Sequence, residues 1–178
     1  VYYDELLGRA VSKFVPADDL IVPYSANSLD DAEAIVHVIK MSENELRKQQ
    51  VSGFYRDIDL GQPPITENQL EAKERELEGV SKDGQEDQYT ILEMHVDLDL
   101  PGFEDNGPDG EPTGIKLPYI VTLAEANNKI LSIRRNYTPD DKMMQKIKYF
   151  VQFKFLPGTG FYGFGLIHMI GGLTRTAT

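Results

Sequence analysis

Hydrophobic and polar residues alternate most regularly over residues 89–100. Leu92, Met94, Val96, Leu98 and Leu100 fall on one side, and Glu93, His95, Asp97 and Asp99 on the other. A period of two predicts a β-strand with the leucine side buried and the acidic side in water. Residues 34–40 are a short Ile- and Val-rich run, read as a strand buried on both faces. Residues 117–123 and 129–137 predict two more strands flanking Asn127-Asn128, residues that accept the positive φ of a tight turn. Tyr149, Val151, Phe153 and Phe155 again repeat at period two, which predicts a final strand with an apolar, core-facing side. Residues 9–24 read as extended chain broken by Pro16 and Pro23, with Asp18-Asp19 as a turn.

Helix signals appear twice. Ser42 and Glu45 have capping-box spacing, Met41 and Leu46 sit at staple positions, and Gly53 supplies a stop. Thr66 and Gln69, Ile65 and Leu70, and Gly79 repeat that grammar after the stiff Pro63-Pro64 pair. The end of the chain passes through a Pro157-Gly158-Thr159-Gly160 turn into an apolar run holding Gly163, Gly165, Gly171 and Gly172. Glycine costs a helix about 1 kcal/mol against alanine, so its use among Leu, Ile and Met implies a neighbouring backbone packed close by, one expected to lie outside this chain. These elements predict an α+β fold: an antiparallel β-sheet of about four to six strands with a few short flanking helices. Residues 1–178 read as one domain, with 79–88 and 101–114 as flexible acidic loops.

Composition is that of a globular chain able to bury a core, with 40% hydrophobic and 26% charged residues. The first residue is Val1, and both ends read as cuts in a longer polypeptide. Cysteine is absent, which excludes a disulfide framework, a thiolate nucleophile and a thiolate metal site. The apolar run 161–173 falls short of the roughly 20 residues of a membrane span. A net charge of −11 argues against gripping nucleic acid through a basic surface. That charge is uneven. Residues 57–111 carry seventeen acidic side chains against three basic, and residues 129–154 carry seven basic against two acidic. The plain reading is two solvated faces; the sharper one is a head-to-tail contact between copies, which can close a ring.

Candidate chemistry is sparse. Gly158, Gly160 and Gly163 satisfy G-x-G-x-x-G, by which dinucleotide folds bring a pyrophosphate to a helix N-terminus. An antiparallel sheet without the following strand or the acidic ribose contact does not fit that use. The glycines therefore read as a turn before a tightly packed helix start. Glu93, His95, Asp97 and Asp99 could converge on a hard cation, so a metal-binding module or metal-dependent enzyme using Glu93, His95 and Asp97 is the alternative function. A solvated acidic strand face is its ordinary explanation. Asp105, Asn106, Asp109 and Glu111 faintly resemble a calcium loop, with Lys116 where the bidentate acid belongs. The three histidines, His37, His95 and His168, lie in different elements without a hydrolase motif. His168, between Ile167 and Met169, reads as a packed residue with one nitrogen satisfied. No P-loop is present, and neither a cofactor nor catalytic residues are predicted.

The ordered strings DDLIVPYSANSLDDAEAIVHVIKMSENELRKQQVSGFYRDIDL, HVDLDLPGFED, GIKLPYIVTL, ILSIRRNY and FVQFKFLPGTGFYGFGLIHMIGGLTRTAT resemble the portal proteins of short-tailed bacteriophages. The resemblance runs along nearly the whole chain and consists of structural strings, so it carries no active-site residues. It implies a structural, non-enzymatic part of a ring, usually of twelve subunits, at one capsid vertex. Genome DNA passes through such a ring, pumped by a separate terminase and later retained or released, without sequence-specific binding by this region. The implied partners are further copies, terminase, head-completion and tail proteins, and capsid and scaffolding proteins. The implied setting is the virion, assembled in host cytoplasm, with no membrane. By this resemblance the chain is expected to be the peripheral wing-type region of a longer subunit. Arg134, Arg135, Lys146 and Lys148 are the candidates for the basic side of an inter-subunit contact, with Glu71, Glu74 and Glu78 opposite.

Overall fold

A computed structural model describes residues 2–4, 8–61, 77, 79, 88–158 and 160–176. Strands β1 (Tyr2–Asp4) and β2 (Arg9–Val11) form a small antiparallel hairpin. A 3-10 turn at Ala17–Asp19 then leads into β3 (Leu20–Ile21). The main sheet continues with β4 (Ala34–Ser42), β5 (Gln88–Leu98), β6 (Leu117–Ala124) and β7 (Lys129–Arg135), in the order β3-β4-β5-β6-β7. Each strand lies beside its neighbour in sequence, the simplest topology for strands joined without crossovers. With helices α1 (Glu43–Val51) and α2 (Leu166–Thr176) the fold is α+β, a five-stranded antiparallel sheet accompanied by short helices.

Helix α1 forms as its capping residues require. Ser42 Oγ accepts from the Glu45 backbone N–H at 3.4 Å, and the Glu45 carboxylate accepts from the Ser42 N–H at 3.2 Å. Gly53, with φ of +78°, ends it in a conformation glycine adopts without Cβ strain. Asn128, with φ of +54°, makes the β6–β7 turn, and the Asn127 side chain accepts from the Lys129 N–H. The second capping sequence, at Thr66 and Gln69, lies outside the described residues, as do residues 80–87.

Contacts group the chain into two units. One comprises Val38–Glu93 and Val121–Ile133. Its core gathers Leu46 of α1 with Tyr55, Leu60, Tyr89, Ile91, Ala124 and Leu131. The other comprises Val1–His37, Met94–Ile120 and Arg134–Thr178. Its smaller core holds Ala26, Ala32 and Ile35, with Leu20, Val22, Leu29 and Phe150 packed against them.

Three expectations about the strands fail. Strand β4 is half-buried rather than enclosed: only Ile35 is buried along it, and the short β3 pairs beside it at just His37 and Val36. In β5 the supposedly wet side is the more buried one, with Ile91 at 0%, His95 at 3% and Tyr89 at 7% exposure. Apolar partners decide the face here: Ile91 and Tyr89 join a core cluster, and Tyr149 and Phe150 place their rings against His95. Most strikingly absent is the last strand. Residues 151–154 belong to no strand, and Val151, Phe153 and Phe155 are 85%, 90% and 60% exposed rather than packed.

Candidate functional site

Burial alternates along the segment after residue 148, but the sides are exchanged. The even-numbered residues face the chain. Phe150 packs with His37 and His95, at ring separations of 5.5 and 5.1 Å. Gln152 Nε2 donates to the Phe161 carbonyl at 2.7 Å. Lys154 Nζ donates to the carbonyls of Asn27 and Gly160, each at 3.1 Å. The odd-numbered Val151, Phe153 and Phe155 are left in water.

The chain then reverses, with Leu156 and Phe164 forming an antiparallel bridge. The formal dinucleotide glycines serve this reversal. A Cβ on Gly163 would sit 2.5 Å from the Leu156 carbonyl oxygen and 3.2 Å from Lys154 Cβ. Gly160 has φ of +89°. At Gly158 a Cβ would meet the Tyr162 carbonyl at 3.0 Å. The close approach is to this chain's own backbone, so the motif needs no nucleotide to explain it.

Helix α2 follows, and the expected tight packing of its start is not seen. Leu166, Ile167, Met169 and Ile170 are 57%, 74%, 54% and 45% exposed. His168 is exposed rather than packed. Its Nδ1 accepts from the Gly165 N–H at 3.1 Å, and its own N–H donates to the Gly165 carbonyl, so it caps the helix from the third position. A histidine three residues after a glycine was a capping signal in the sequence, masked by the apolar neighbours.

The proposed contact residues divide. Arg134 is half-buried and Arg135 exposed on β7. Arg135 lies against the Tyr119 hydroxyl, whose pKa burial and the neighbouring Tyr137 push up and Arg135 pulls down. Lys146 donates to the Ala32 carbonyl at 3.4 Å, and Lys148 pairs with Asp30 at 2.6 Å with both side chains open to solvent. These lysines thus engage the loop at 27–32 of their own chain. Glu71, Glu74 and Glu78 lie outside the described residues.

The metal alternative gains no geometry. His95 sits among aromatic rings, and among the described residues no group of three or more His, Asp or Glu side chains is placed to hold an ion. In the acidic loop, Asp105 Oδ2 accepts from Thr113 Oγ1 at 2.6 Å, and an Asn106–Pro112 bridge closes the turn. In the other unit a polar pocket lies beside α1, where Arg47 pairs with Asp57. There the Tyr89 hydroxyl donates to the Gly61 carbonyl, and burial, then Glu43 and Asp59, push its pKa up. Among the described residues no helix is long and apolar enough to cross a membrane.

No protein-family model matches this chain, and no curated protein matches it.

Proposed function

We propose that this chain is a structural, non-enzymatic part of a bacteriophage portal ring, the wing-type region of its subunit. The observation that carries the reading is the apolar surface from Val151 to Ile170. Burying a Val, Leu, Ile or Phe side chain is worth about 1.5–3 kcal/mol, and here Val151, Phe153, Phe155, Leu166, Ile167 and Ile170 all forgo much of it. Runs of this kind mark packing surfaces. The resemblance to portal proteins supplies the assembly, in which further copies form the ring, terminase and tail proteins dock on it, and DNA passes through. An acidic chain suits a part that leaves DNA free to slide.

Reversing Arg134 and Arg135 to Glu in the full-length subunit tests the contact assignment. Ring assembly at low salt is expected to fall; undisturbed assembly counts against these two residues.

A further inference from the structure

Asn136 is fully buried, yet neither atom of its side-chain amide has a hydrogen-bond partner. Its backbone is well anchored: its N–H donates to the Pro118 carbonyl at 2.9 Å, and its carbonyl accepts from the Ile147 N–H at 2.9 Å. In an antiparallel pair the Asn136 carbonyl would ordinarily accept from residue 118, but proline has no N–H to give. Ile147 fills that place and so brings the chain back over the end of β7, closing the loop 137–146 at its neck.

A second orphan belongs to the same unit. Asp97 Oδ1 is buried and unpartnered. Stepping the antiparallel ladder along from the Glu125 N–H to Thr90 carbonyl bond puts Asp97 across from Pro118. Asp97, Pro118 and Asn136 then form one row across β5, β6 and the end of β7. Adjacent strands stand about 4.8 Å apart, so Asp97 and Asn136 flank the proline from either side on one face of the sheet.

The chemistry of the three atoms selects the guest. Asp97 Oδ1 and Asn136 Oδ1 need a donor, and Asn136 Nδ2 needs an acceptor. A metal ion cannot receive the amide N–H, and a halide cannot donate to a carboxylate. Exchanging the amide's oxygen and nitrogen leaves the same demands. We infer that Asp97 and Asn136 hold ordered water across Pro118, and that this bound water fastens the neck of the loop 137–146 to the sheet. Buried water with two to four polar partners is a regular structural component, and leaving such groups bare is costly. The acidic β5 residue offered as a metal ligand is thereby a water ligand.

Rotating-frame cross-peaks between water and the Asn136 side-chain amide protons of the labelled wild-type chain test this directly. Such cross-peaks are expected, together with laboratory-frame NOE cross-peaks of the negative sign that reports long residence. The near-isosteric Asn136→Leu variant is expected to lose them and to melt at a lower temperature, while EDTA leaves the wild-type melt unmoved. A folded wild-type chain without water contacts at that amide overturns the proposal, even if the variant does not fold. So does Asn136→Leu melting at or above the wild type, or a melt that shifts with EDTA.

Discussion

Ile91 and Leu131 are wholly withdrawn from water, whereas Val151 and Phe153, equally apolar and also in an alternating run, keep 85% and 90% of their surface exposed. The difference lies in neighbours. Ile91 and Leu131 belong to paired strands and meet Leu46 of α1 together with Tyr55 and Leu60 from the segment after it. Residues 151–154 join no strand, and the side chains that tie their segment down are polar, Gln152 and Lys154. Apolar alternation therefore specifies a buried face only where a second layer exists to bury it.

Truncation should expose that contrast most sharply. Leu131→Ala is expected to lose about 2–5 kcal/mol of unfolding free energy in urea titrations, through lost transfer energy and a cavity. Phe153→Ala or Val151→Ala should fall within about 0.5 kcal/mol, as surface changes do. A Phe153→Ala loss as large as that of Leu131→Ala would erase the distinction between the two regions.

Next in size is Gly163→Ala. Its methyl would press on the Leu156 carbonyl and Lys154 Cβ, at a cost of about 1–3 kcal/mol. An unchanged melt would mean that the reversal at 156–164 does not depend on this contact. Ser42→Ala sharpens the well-packed side. It removes one half of the capping box and should cost about 1 kcal/mol, read as a lower urea midpoint.

The smallest effect concerns Asp31. Its carboxyl pKa is lowered first by the Ser28 backbone N–H, then by the Ser28 hydroxyl and the Asn27 N–H. A depressed carboxylate contributes stability that is present above its ordinary range and lost as pH falls through its folded value. Stability of the wild type should therefore decline on acidification over that range. The Asp31→Asn variant should decline less, as followed by thermal melts at successive pH values.

Local signals were legible in the sequence because their causes are local. The capping box at Ser42, the Gly53 stop and the Asn127-Asn128 turn each depend on residues within a few positions, and each appears as read. So do the antiparallel sheet and its flanking helices. Which side of a strand is covered depends on residues far away, and there the reading failed. Leu92 to Leu100 looked like the core side of β5, but Tyr149 and Phe150, remote in sequence, lie against His95 on the other. Glycines at 158, 160 and 163 are legible as a turn and serve one, and the backbone close to Gly158 and Gly163 is this chain's own. Arg134, Arg135, Lys146 and Lys148 could be chosen by charge alone, but the engagement of both lysines with residues 30 and 32 had no sequence signature.

Electron microscopy of the full-length protein addresses the central claim most directly, because a ring is visible without any assumption about its contacts. Closed rings are predicted, with protein density covering Val151, Phe153, Phe155 and the exposed side of α2. Dispersed single subunits, or rings in which those side chains still face solvent, would contradict the account.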